Sequence, residues 1–160
     1  MDIDLALLAD AATVDPAGKL NILGIFDRIS AGSFPVRHGH MALVLRFVAA
    51  PAEAGTHDVS IVVKGPEGEE VATLNGKIQT GPGSPVSKEK TRVPQVVNLG
   101  GMVFPGPGRY AFEVSVEGDH VVSVPLTLHE ARGQGGPPPP REGGGGGSMG
   151  FGGGGGPVEA

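Results

Sequence analysis

The residue types that support acid–base, metal or nucleophilic chemistry are few in this chain and far apart. His38-Gly39-His40 comes nearest to a ligand pair. Alternate residues of an extended segment point to one side, so both imidazoles share a side, and His57 or His120 would have to supply a third zinc-type ligand. His129 closes the last apolar run and reads as surface. No acid is fixed beside these histidines by sequence, so solvated side chains are favoured over adventitious nickel or zinc capture. Among the acids, Asp10, Asp15, Asp27, Asp58 and Asp119 would form a calcium cup only if loops gathered them at one end of the fold, because no D-x-D-x-D-G spacing occurs. Asp10 and Asp27 stand inside apolar runs, Leu8-Ala9-Asp10-Ala11 and Ile25-Phe26-Asp27-Arg28. A carboxylate buried there needs a partner, with Arg28 and loop amides as candidates, and structural hydrogen bonding is favoured over catalysis.

Searches for a nucleophile return nothing built. The sequence contains no G-x-S-x-G elbow, no phosphate loop and no H-E-x-x-H helix. Cysteine is absent, which excludes thiol catalysis, disulfides, iron–sulfur clusters and cysteine-ligated zinc. The expectation is a non-enzymatic protein with no catalytic, cofactor-binding or metal-binding residues and no cofactor.

The elements that would position these residues are strands. Alternation of apolar and polar residues marks a strand with one dry face, and it prevails over helical spacing nearly everywhere. Tyr110, Phe112, Val114 and Val116 oppose Ala111, Glu113, Ser115 and Glu117, and Val122, Val124, Leu126 and Leu128 repeat the pattern after Glu117-Gly118-Asp119, so these segments form a hairpin. Pro125 cannot donate a ladder hydrogen bond, which places the last strand at an edge or a bulge. Met41–Ala49, Asp58–Lys64, Val71–Ile78 and Gln95–Phe104 read as further strands, with Gly65-Pro66-Glu67-Gly68 as a turn and Pro105-Gly106-Pro107-Gly108 as a stop. Residues 3–12 and 20–29 are nearly continuous apolar runs; helix competes over Leu5–Ala12, but Asp15-Pro16-Ala17-Gly18 between the runs is a hairpin signature that favours strand, and such runs suit strands covered on both faces. Two long loops, Ser30–His40 and Thr80–Pro94, complete the series.

About eight short strands and no helix predict an all-β, antiparallel two-layer sandwich of immunoglobulin-like or related Greek-key type, with a jelly roll or small barrel as alternatives. Tyr110, just after Pro-Gly-Arg, stands where a tyrosine corner would sit. With no Trp, one Tyr and six Phe, the core must be mainly aliphatic.

Composition divides the chain. About half of its 29 glycines follow Ala131, among four consecutive prolines and two runs of five glycines. Residues 1–131 therefore read as the β-sandwich domain and 132–160 as a disordered Gly/Pro-rich tail, in which Met149 and Phe151 are a weak sticker at most. The net charge of -5, with scattered Lys and Arg, argues against nucleic acid as a partner. Asp2 and Asp4 stand where a secretory signal would carry positive charge, and no apolar run approaches a membrane span. A cytoplasmic protein with no membrane partner is the expectation.

Leu8-Ala9-Asp10-Ala11-Ala12, Gly18-Lys19-Leu20-Asn21-Ile22-Leu23-Gly24-Ile25-Phe26-Asp27 and Phe104-Pro105-Gly106-Pro107-Gly108-Arg109-Tyr110 resemble a family of small bacterial proteins catalogued only as a domain of unknown function. The resemblance covers most of residues 3–129 and implies a β-sandwich without an assigned activity, so it transfers no functional residues. From the residues themselves, a protein-interaction or scaffolding module of unknown partner and oligomeric state is the first expectation. A sandwich that binds calcium or carbohydrate through its loops is the alternative.

Overall fold

In the computed structural model, residues 1–81 and 89–132 are described. Among them are nine strands: β1 Asp2–Val14, β2 Leu20–Phe26, β3 Arg28–Ala31, β4 Val36–Ala49, β5 Gly55–Lys64, β6 Glu70–Thr80, β7 Thr91–Phe104, β8 Gly108–Val116 and β9 Asp119–Glu130. A single 3-10 turn, Pro51–Glu53, leads into β5. The strands form two sheets, a four-stranded β2-β1-β4-β7 and a five-stranded β3-β9-β8-β5-β6. The chain is thus an all-β two-layer sandwich, as the alternation predicts. The proposed tail lies outside the described residues except for Arg132, as do residues 82–88 of the second long loop.

The core lies where the alternating faces meet. Met41, Leu43, Leu45 and Phe47 of β4 face Val59, Ile61 and Val63 of β5 and the inward residues of β8 and β9, all buried in one cluster. Burying each large aliphatic side chain is worth about 1.5–3 kcal/mol, which is how a core without tryptophan holds. Tyr110 meets Phe104 edge to face at 5.1 Å between ring centroids. Its hydroxyl donates to the Gly106 carbonyl at 2.7 Å and accepts from the Gly106 N–H at 3.3 Å, the bond of a tyrosine corner, four residues back.

Turn chemistry fixes the registers. The Asp15 carboxylate accepts from the N–H groups of Ala17 and Lys19 at 2.8 and 2.9 Å, and Gly18 takes the positive φ of 78° that closes the β1–β2 hairpin. In the β8–β9 turn, positive φ falls on Glu117 (52°) and Gly118 (88°). The Glu117 carboxylate accepts from the Asp58 N–H at 2.9 Å, and the Glu117 N–H donates to the Asp58 carbonyl at 2.9 Å, ties that offset the strain of a left-handed non-glycine residue.

Five expectations are corrected. The apolar run 20–29 is two strands, because Asp27 breaks it and β3 crosses to the other sheet. There β3 pairs with β9 in parallel, so the sandwich is not wholly antiparallel. Most of the loop Ser30–His40 is strand, since β4 begins at Val36 and pairs with β7 from Val36↔Phe104 onward. The second loop likewise ends at Thr91 rather than Pro94. Finally, β9 lies between β3 and β8, yet β3 reaches only Thr127–Glu130, so Pro125 meets a partner on one side alone and its missing N–H costs nothing.

No helix among the described residues is long and apolar enough to cross a membrane.

Candidate functional site

Three polar constellations form on this frame, and hydrogen-bond roles decide what each can do. The first closes one end of the sandwich. Thr80, the last residue of β6, is 2 % exposed and is the one buried polar side chain among the described residues. Its hydroxyl lies 2.6 Å from the Glu53 carbonyl and 3.1 Å from the Gly55 carbonyl, and it accepts from the Gly55 N–H at 3.0 Å. His57 Nε2 is 2.8 Å from the same Glu53 carbonyl, so that nitrogen carries the proton, because a carbonyl only accepts. His57 Nε2 therefore cannot take a proton from Thr80, although 3.4 Å separates them. His57 Nδ1 faces Glu117 at 3.5 Å. The Glu53 carboxylate pairs with the Met1 amine and accepts from the Ala50 N–H at 2.8 Å, and these donors hold it below the usual carboxylate range. The cluster works as a latch that ties β5, β6 and the chain start together, not as an acid–base pair.

The second constellation has the composition of a hydrolytic triad without its wiring. On the β8–β9 hairpin, His120 Nε2 lies 2.6 Å from Glu113 and 3.2 Å from Ser123 Oγ. Ser123 donates to the same carboxylate at 2.5 Å. A triad needs the acid on one imidazole nitrogen and the hydroxyl on the other. Here both crowd Nε2, and the serine donates to the acid directly, so the imidazole does not stand between hydroxyl and carboxylate as a triad requires.

The third constellation crosses the four-stranded sheet. Asp4 is chelated by Arg46 at 2.7 and 3.1 Å, and Arg92 adds a bond at 3.2 Å. Arg46, then Arg92, holds the Asp4 carboxyl below its ordinary value. This fork joins β1, β4 and β7 and is structural.

The residues singled out by sequence are dispersed. His38 and His40 share a side of β4, but His38 lies against the Phe26 ring at 6.0 Å and His40 opposes Gly100 across the β4–β7 ladder. His57 and His120 belong to the separate networks above, and His129 is exposed near the end of β9. Asp15 caps a turn, Asp58 pairs with Lys77 at 2.9 Å and Asp119 opens β9. Asp10 and Asp27, expected to be buried, are both exposed. Asp27 sits 3.7 Å from Arg28, and Asp10 lies across Gly24, whose missing side chain makes the room. Among the described residues no three His, Cys, Asp or Glu are placed to hold a metal ion.

The feature that sequence reasoning missed is a sheet edge. Each open edge presents unpaired backbone groups, which proteins guard with charge, proline or brevity. The β7 edge carries Arg92 and Pro94, β6 carries Glu70 and Lys77, and β3 is only four residues long. The β2 edge, Leu20-Asn21-Ile22-Leu23-Gly24-Ile25-Phe26, has no charge and no proline. Phe26 packs on the main core, while Leu20 and Ile22 pack on a second cluster around Ala9, Ala42 and Val44. Between them Gly24 takes φ 68°, and the residues on either side of it, Leu23 and Ile25, stand 71 % and 65 % exposed. The expectation that the 20–29 run is covered on both faces therefore fails at β2. The signal in the sequence was the uncharged heptapeptide itself.

Fold and surface thus define a compact β-sandwich with an unguarded edge strand and no assembled catalytic constellation among its described residues. The chain belongs to the family described as "Family of unknown function (DUF6941)", whose model matches residues 4–129. No curated protein matches it. Among solved structures, the Pseudomonas fluorescens alkylpurine DNA glycosylase AlkC, bound to DNA containing an abasic site analog, is similar at 14% identity and a TM-score of 0.40. The likeness covers 79% of this chain and 30% of that one, and it transfers no function.

Proposed function

We propose that this protein is a non-enzymatic interaction module that docks a protein partner along the β2 edge. The observation that carries this reading is the exposure of Leu23 and Ile25 on an edge strand without charge or proline. An extended partner segment adds there as a further strand: main-chain hydrogen bonds supply affinity, and its side chains reach the exposed Leu23 and Ile25, which Gly24 sets on opposite faces of the edge. Adjoining the edge is an open groove of about 400 Å³ whose lining, Leu8, Ile25, Phe26, Val124 and Pro125 with Asp27 among them, is mainly apolar and gives an incoming side chain a place to rest. The same reading makes the polar clusters architectural, because their protons and lone pairs are committed within the fold. The calcium-binding alternative gains no gathered set of three acidic or histidine ligands among the described residues.

The test is hydrogen exchange with mass spectrometry on the full chain, with and without a partner captured from native lysate. Protection confined to residues 20–26, with capture lost on Leu23→Lys, is the expected result. Protection elsewhere, or capture indifferent to Leu23→Lys, would overturn the assignment.

A further inference from the structure

The two sheets do not close on the side away from β2. There β6 ends one sheet and β7 the other without pairing with each other, and the seam between them opens into a cleft of about 190 Å³ that reaches Leu45, Phe47, Val59 and Ile61 of the core. We infer that this cleft binds a small uncharged molecule with an apolar body and one hydroxyl or carbonyl group. The site stands at the opposite edge from β2 and does not depend on the docking reading.

Gly76 keeps the cleft open. In the β5–β6 ladder Gly76 opposes Val59 and Leu74 opposes Ile61, so Gly76 stands with Leu74 and Ile78 on the inward side of β6. Its backbone is outside the left-handed region, and a β-carbon built on it would meet no atom within 4 Å, so neither conformation nor crowding requires a glycine there. What the glycine leaves is space on the dry side of an edge strand, a place where a ligand can approach the backbone closely. Gln95 faces that space from β7. It opposes the buried Leu45 in the β4–β7 ladder and alternates with Val93 and Val97, which pack on the main core, so its side chain shares their inward direction. Gln95 is half-buried, and its amide has no hydrogen-bond partner among the described residues. Asn75 and Lys77 border the cleft from the outward side of β6, where Lys77 meets Asp58 at 2.9 Å. No charged side chain among the described residues is therefore directed inward at the cleft, and an ionic ligand would lose hydration there without a counter-charge. An apolar wall with one uncommitted polar group is the composition of a small-molecule site. Size sets the class: a cavity of roughly 150 Å³ with an aliphatic lining admits benzene, and drug-sized ligands occupy about 300 Å³ or more, so this cleft suits a single ring or a short alkyl chain with one polar group.

The experiment titrates the full chain, with isotope-labelled Leu, Ile and Val methyl groups, with benzyl alcohol and with toluene, and follows binding by NMR. Methyl shifts should be confined to the walls of the cleft, Leu45, Val59, Ile61, Leu74, Ile78 and Val97. Benzoate and benzylammonium should each bind roughly tenfold more weakly than benzyl alcohol, for want of a counter-charge. Gly76→Val should abolish the shifts and raise the melting temperature, because it fills open space on the inward side of a strand with a strand-forming residue. Gly76→Ala, a smaller intrusion, should weaken both neutral probes and melt no lower than the wild type. Gln95→Met keeps the length of the side chain and removes the amide, so it should weaken benzyl alcohol about tenfold relative to toluene, a ratio that a merely structural glutamine would leave alone. Absence of shifts at millimolar probe overturns the inference, as do shifts away from the cleft, unchanged affinity in both Gly76 variants, an unchanged ratio in Gln95→Met, or tighter binding of either charged analogue.

Discussion

Replacing Thr80 with valine isolates the worth of a single buried hydroxyl, because valine keeps the shape and removes only the hydrogen-bonding group. The hydroxyl accepts from the Gly55 N–H at 3.0 Å and lies within bonding distance of the Glu53 and Gly55 carbonyls. Of these groups the Glu53 carbonyl retains His57 Nε2 at 2.8 Å, so the orphaned Gly55 N–H dominates the loss. A buried donor left without a partner costs about 1–3 kcal/mol. Taking about 2 kcal/mol as the central value, and about 2–4 °C of melting temperature per kcal/mol for a chain of this size, Thr80→Val should melt about 4–8 °C below the wild type. Thr80→Ser keeps the hydroxyl and forfeits a methyl worth about 0.8 kcal/mol, so it should lose less than half as much. Differential scanning calorimetry at neutral pH, with urea unfolding as a second measure, ranks the three proteins. If Thr80→Val equals the wild type, or if serine proves worse than valine, the hydroxyl is not the latch described.

Two further perturbations follow from the other local structures. Asp4 has a folded-state pKa depressed by Arg46 and Arg92, so its contribution is present above its ordinary value of 3.8 and disappears as pH falls through the lower folded value. Asp4→Asn should accordingly be less stable than the wild type at pH 7 and indistinguishable from it in strong acid, as followed by urea unfolding across pH. A gap that widens on acidification would contradict the linkage. Gly24→Ala places a β-carbon at φ 68° and against the Asp10 carboxylate, and the backbone part alone should cost about 1–2 kcal/mol. Adding Asp10→Ala should recover only the side-chain clash; full recovery would show that the backbone there is unstrained.

Where one side of a strand is dry and the other wet, the fold is legible residue by residue. Tyr110-Ala111-Phe112-Glu113-Val114 has that pattern, and its inward residues are core. The hairpin at Asp15-Pro16-Ala17-Gly18 was legible for another reason: its capping carboxylate and its left-handed glycine are specified by local chemistry alone. Legibility fails where pairing is set by distant strands. Nothing near Val36 says that β7 reaches far enough to extend β4 back over residues 36–40, and nothing near Asp27 says that the chain there crosses to lie parallel to β9. The His57 network is equally non-local, because its members come from the 3-10 turn, β5, the end of β6 and the β8–β9 turn.

The β2 edge shows why a continuous apolar run misleads. Apolar residues on both sides of a strand have two explanations, burial between layers or a face kept for something outside the chain, and local composition is the same for both. β4 resolves to the first: it sits between β1 and β7, and both Leu43 and Val44 are buried. β2 does not resolve to the first, because β1 covers one flank and nothing in the described chain covers the other, and the second is the reading proposed for it. Strand order separates the two cases, and it is fixed by long-range pairing that the run does not encode. What the run does encode is the absence of any guard. An edge strand that served only its own sheet would tolerate a lysine at position 23 or 25 at little cost, since both side chains already face solvent. The apolar identity of those two positions is therefore not required by the stability of a single copy, and it is what the proposed docking along this edge would use.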